Sequence, residues 1–200
     1  IRKMKQTAKM TLSKNIGILI CCTVFAFTAG SCENPAKDVD WGFSRLYMPQ
    51  AIVQSGGTTN NYFVEIDSTA STDTMVVVGL YRSGLEPVLE VTVDLEVDLD
   101  TLNYLISMAA VPNPDSKFEM YKNARLLDEK YYSIPSELSL ENGKRDNYDF
   151  ITLYKNELWV DPAPDETIFI LPVRITNPSR YELNQELSIT LFIFTRLKPE

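Results

Sequence analysis

The stretch "EPVLEVTVDLEVDLDTLNYLISMAAV", Glu86–Val111, changes its hydrophobic period part-way along. Val91, Val93, Leu95 and Val97 alternate strictly with Thr92, Asp94, Glu96 and Asp98. Period two with one polar side predicts a half-buried antiparallel strand within Glu86–Asp100. From Asp100 the apolar positions are Leu102, Leu105, Ile106 and Ala109. That three- and four-residue spacing predicts a helix over Asp100–Val111, with Asp100 as N-cap and Pro112 as the stop. A strand that runs directly into a short helix points to a mainly β fold with one helix inserted.

The flanking sequence repeats the strand signal. Short runs rich in β-branched and aromatic residues are separated by turn residues, which reads as strands. The runs are Arg45–Gln54, Asn61–Asp67, Asp73–Ser83, Lys130–Pro135, Ser136–Gly143, Asp146–Val160, Glu166–Ile175 and Gln185–Phe194. Pro49 and Pro172 imply edge positions or bulges, because proline cannot donate to a ladder. The polar segment from Asn113 to Glu129 leaves room for a further irregular turn of helix. The expected architecture is an immunoglobulin-like, two-sheet antiparallel sandwich with one inserted short helix. An open sheet packed by the helix gives a similar pattern.

The N-terminus has a different character. Arg2, Lys3, Lys5, Lys9 and Lys14 precede the uninterrupted apolar run Ile16–Gly30. A basic start, an apolar segment of about 15 residues and a small-residue exit form a secretory signal. The exit "AGSC", Ala29–Cys32, resembles the lipobox of bacterial lipoproteins, although Ala29 stands where leucine is usual. The resemblance implies that residues 1–31 are a signal peptide and that Cys32 is lipidated. Ordinary secretory cleavage, leaving Cys32 a free thiol, is the alternative. Residues 32–44 then read as a polar tether, and 45–200 as a single β-sandwich domain.

Removal of that leader sharpens the charge balance. Five of the 19 basic residues and none of the 27 acidic ones lie in it, so 14 basic and 27 acidic residues remain, a net −13. Such a chain is not expected to bind nucleic acid, which rewards basic clusters. Membrane attachment would come from acyl chains on Cys32. With Cys32 acylated and Cys21 and Cys22 in the leader, no thiol is left for a disulfide, a redox pair or a metal. The chain also has no histidine, which removes Ser-His-Asp and Cys-His catalysis and His-ligated zinc. The expectation is a non-enzyme with no cofactor and no metal.

The order of features resembles a family of N-terminal domains of unknown function in envelope lipoproteins of Bacteroidota. The correspondence runs through Leu127, Tyr132, Leu140, Gly143, the run Leu171-Pro172-Val173-Arg174-Ile175, and Leu187–Phe194. It covers roughly residues 45–195. Family members are linked to glycan-utilisation systems, so the resemblance implies a part in glycan capture or in assembling a glycan-uptake complex at the outer membrane. The expected partner is a polysaccharide or an outer-membrane protein, at the cell surface or the periplasmic face. A structural or adhesive protein using the domain as a spacer or docking module is the alternative. Two departures stand out. The chain ends close to the last strand, and the segment between Gly143 and Glu166 is longer than is usual and lacks a turn glycine.

Two groups of residues are candidates for a site. Asp94, Glu96, Asp98 and Asp100 gather carboxylates that could ligate calcium or form a glycosidase pair. A solvated strand face with a helix cap explains the same pattern. Aromatic rings that stack on sugars are sought at Trp159 first, with Tyr154 close before it. Trp41, Tyr131 and Tyr132 are further aromatic positions, each equally explained by packing on the core or pinning of the tether.

Overall fold

The computed structural model describes residues 44–53, 60–66, 72–85, 87–154 and 167–196, within a compact unit spanning Gly42–Glu200. The leader, Cys32, Trp41 and nearly all of the tether lie outside the described residues, as does Trp159. The strands are β1 (Arg45–Tyr47), β2 (Asn61–Ile66), β3 (Thr74–Arg82), β4 (Val91–Val97), β5 (Ala124–Leu126) and β6 (Tyr132–Ser133). They continue as β7 (Glu137–Leu140), β8 (Asp146–Leu153), β9 (Ile168–Thr176), β10 (Glu182–Leu183) and β11 (Ile189–Arg196). Helix α1 covers Leu99–Ala109, and a 3-10 segment covers Ser116–Asn123. Among the described residues no helix is long and apolar enough to cross a membrane.

The strands form two sheets, as the alternation predicts. The first has the order β10-β1-β3-β8-β6, and the second β2-β11-β9-β4-β7 with β5 beside β9. Most pairings are antiparallel, but β1 with β10, β2 with β11 and β5 with β9 are parallel. The fold is an immunoglobulin-like sandwich built of mixed sheets.

The core between the sheets follows from strand parity. Val76, Val78 and Leu80 of β3 point inward, as do Val91, Val93 and Leu95 of β4, Leu171, Val173 and Ile175 of β9, and Phe192 and Phe194 of β11. Burying each such side chain stabilises the fold by about 1.5–3 kcal/mol relative to exposure. The opposite face of the second sheet is buried as well. Ile170, Ile189, Leu191 and Ile193 pack there with Leu102 and Ala109 of α1 and with Phe118 and Tyr121 of the 3-10 segment. β9 and β11 are therefore apolar at both parities, because each is covered on both sides. The first sheet has no such covering layer among the described residues.

Several sequence expectations are corrected. The N-cap is Asp98 rather than Asp100: its carboxylate accepts from the Thr101 backbone N–H at 3.0 Å. Asp100 lies in the first turn, where its charge suits the helix dipole. The first strand stops at Tyr47, and Pro49 opens a 3-10 turn, Pro49–Ala51. The final strand begins at Ile189, after the 3-10 turn Gln185–Leu187. Pro172 is neither at a sheet edge nor in an outer strand, since β9 is interior. One flank of β9 changes neighbour at that point. Leu127 N–H, just past β5, donates to Ile170 O, and Asp98 N–H, just past β4, donates to Pro172 O. The missing proline donor falls at the seam between those two partners, which is how an inner strand tolerates it.

The chain crossing from β3 to β4 is held by Tyr181. Its hydroxyl donates to Pro87 O at 2.8 Å and accepts from Leu89 N–H at 3.0 Å. The buried guanidinium of Arg82 sits 4.6 Å from its ring centroid. Tyr181 has φ +66°, a conformation that costs a bulky residue about 1–3 kcal/mol and persists only where surroundings fix it.

Candidate functional site

The outer face of the first sheet is set by register. Tyr47 of β1 pairs with Tyr81 of β3. Across β3 and β8, Tyr81 faces Asp146, Gly79 faces Tyr148, Val77 faces Phe150, and Met75 faces Thr152. Directly paired residues share a face, and this parity is the one opposite the core. Tyr47, Tyr81, Tyr148, Val77, Phe150 and Met75 thus line one continuous outer surface. Met75 is 60% exposed, Tyr148 47% and Phe150 43%, with Val77, Tyr47 and Tyr81 half-buried beside them. A solvated face of an antiparallel sheet is ordinarily polar. Here it is an aromatic and apolar platform.

The rings support one another. Tyr47 and Tyr81 have centroids 5.0 Å apart with planes inclined at 39°, within the range of favourable aromatic pairs. Tyr148 lies over Gly79: a Cβ built there would come within 2.6 Å of its ring. Gly79 is what lets that ring come so close to the backbone of β3. The same residue donates its N–H to Gln50 Oε1 at 3.1 Å, which continues the ladder where β1 has ended. Burial, then the nearby Tyr81 and Tyr148 phenols, push the Tyr47 hydroxyl above its ordinary value. It stays protonated and able to donate.

Of the residues sought from sequence, Tyr154 is exposed and continues the outward row of β8 one step past the strand's last residue. Its N–H donates to Tyr131 O at 2.8 Å. Tyr131 and Tyr132 are buried in the core, so packing accounts for both. Tyr148 and Phe150 escaped sequence reasoning, although "DNYDF" places both at one parity of a strand.

Each of the four carboxylates has its own setting. Asp94 accepts from Asn177 Nδ2 at 2.9 Å. Asp98 caps α1 and forms an ion pair with Arg174. Glu96 and Asp100 are exposed. Among the described residues no three His, Cys, Asp or Glu side chains are grouped to hold a metal ion. A depression of about 540 Å³ lies beside Glu96, Asp98, Asp100 and Arg174. Burial works against the charge on Asp98, but hydrogen bonds from Thr101 and Arg174 outweigh it and hold the carboxyl below its ordinary value. A glycosidase proton donor needs the reverse shift.

A family model of N-terminal domains matches residues 43–182. Three solved structures from Bacteroides ovatus share the fold. One, a structural-genomics protein of unknown function, has a TM-score of 0.57 and 14% identity over 76% of this chain and 47% of its own. A second protein of unknown function gives 0.50 and 17% over 70% and 41%. A multidomain protein including DUF1735 gives 0.52 and 12% over 78% and 46%. The chain thus spans less than half the length of each of these structures. No curated protein matches it.

Proposed function

The chain belongs to a family of N-terminal domains of unknown function in Bacteroidota proteins, and from that membership we propose that it is a non-enzymatic glycan-capture module. The observation that carries the reading is the platform of Tyr47, Tyr81, Tyr148 and Phe150 on a sheet face with no covering layer among the described residues. Aromatic rings stack on the apolar faces of sugars, and phenol hydroxyls bond to their edges. A lipid anchor on Cys32 would hold the module at the outer membrane, beside the machinery that takes glycans up. Its acidity suits this role, since attachment then depends on acyl chains rather than on basic patches.

Affinity electrophoresis of the full chain through gels cast with polysaccharides tests the reading. The wild type is expected to be retarded by at least one polymer, and Tyr148→Ala to run free. Free migration in every gel would overturn it. Labelling with a palmitate analogue tests the anchor, and persistent labelling of Cys32→Ala would remove it. The second reading, a spacer or docking module, draws on the length of the solved relatives, since another domain could cover the same face.

A further inference from the structure

We infer that the ligand of the aromatic face is an electrically neutral polysaccharide, held along the length of its chain rather than by its end. This inference rests on the glycan-capture reading and names the class of glycan.

Charge on the face supplies the first argument. Its centre is made of Tyr81, Gly79, Tyr148, Val77, Phe150 and Met75, none of them charged. Among the described residues of β3 and β8 at this parity, the charged group bordering the centre is Asp146, exposed and paired with Tyr81. Arg45 shares the outward parity, but it lies beyond Tyr47 at the far end and faces Glu182 across the pairing of β1 with β10. The neighbouring bases are turned elsewhere. Arg145 donates to Gly84 O at 2.6 Å, and Arg82 points into the core. Among the described residues around its centre, a uronate or sulfated chain would meet a carboxylate and no facing cation, on a protein whose overall charge is −8. A neutral chain meets rings and hydroxyls, and loses no ion hydration on binding.

Shape supplies the second. The outward row of β8 runs Tyr148, Phe150, Thr152 and on to Tyr154, a length of about 20 Å at the rise of a strand. Side chains of one parity share a single surface, which no wall closes among the described residues, so several consecutive sugars can lie across it. A site that recognises a chain end needs a closed wall instead.

The test uses the full chain in affinity electrophoresis against two neutral polymers, a β-glucan and a mannan, and two acidic ones, polygalacturonate and hyaluronate. Oligosaccharides of increasing length from a retarding polymer are then titrated by calorimetry. Retardation is expected in a neutral polymer and absent in the acidic ones, with binding weakened roughly tenfold by Phe150→Ala. Asp146→Lys should admit the acidic polymers. Affinity should rise with oligosaccharide length. Stronger retardation by acidic polymers, lost in Tyr148→Ala, would overturn the neutral class and leave glycan capture standing. An affinity already complete with a disaccharide would overturn binding along the chain. Absence of binding to every polymer, or binding unchanged in both Tyr148→Ala and Gly79→Ala, would remove glycan capture and this inference with it.

Discussion

The ring of Tyr148 lies against Gly79 across the pairing of β8 with β3, close enough that a single added carbon on the glycine would strike it. The contact depends on glycine, because any side chain at residue 79 would displace the ring from its place. Gly79→Ala is therefore expected to weaken glycan binding while leaving the fold intact. Alanine suits a strand interior better than glycine, and the displaced ring is half-exposed. A thermal melt within a few degrees of wild type, together with loss of retention, is the expected pair of results.

The ion pair of Asp98 with Arg174 ties the start of α1 to the middle strand of the second sheet. Asp98→Ala removes the cap as well and should cost about 1–2 kcal/mol in urea unfolding. The carboxyl is held below its ordinary value, so its contribution is complete above the unfolded pKa of about 3.9 and fades as pH falls through the lower folded value. Wild-type stability should drop on acidification below about pH 4, and Asp98→Asn should drop less over that same window.

Tyr181 accepts a strained backbone to hold the crossing from β3 to β4. Tyr181→Phe keeps the ring against Arg82 and loses both hydroxyl hydrogen bonds to Pro87 and Leu89. Those bonds are exposed, so water replaces part of their value, and a loss of about 1 kcal/mol is expected in equilibrium unfolding. Tyr181→Ala should lose more, because the guanidinium loses its ring.

Phe192 is fully buried between the sheets, with its ring 5.5 Å from that of Tyr62 at a steep angle. Phe192→Ala should cost about 3–5 kcal/mol, the largest loss among these variants, measurable by urea unfolding.

How far these features were legible in the sequence depends on whether their causes are local. The strand at Val91–Val97 and the helix after it were readable, because alternation and helical spacing reflect one buried side each. The cap was displaced by two residues, since Asp98 and Asp100 both suit an N-cap and the Arg174 partner lies 76 residues away from Asp98. β5 and β10 were missed: two or three residues carry no period, and both exist through parallel partners distant in sequence. The aromatic face was half legible. "TMVVVGLY" is apolar at both parities, which signals that both faces of β3 have a use, but its pairing with "DNYDF" depends on register. Of the two aromatic positions sought first, Tyr154 is exposed, and Trp159 lies outside the described residues.

The most direct test of the account is an NMR titration of the isotope-labelled full chain with a neutral oligosaccharide from a retarding polymer. Shifts gathered on Tyr47, Tyr81, Tyr148 and Phe150, with the neighbourhood of Asp98 and Arg174 unmoved, are the predicted result. Shifts centred on the Asp98–Arg174 depression, or none on the rings of β3 and β8, would contradict it.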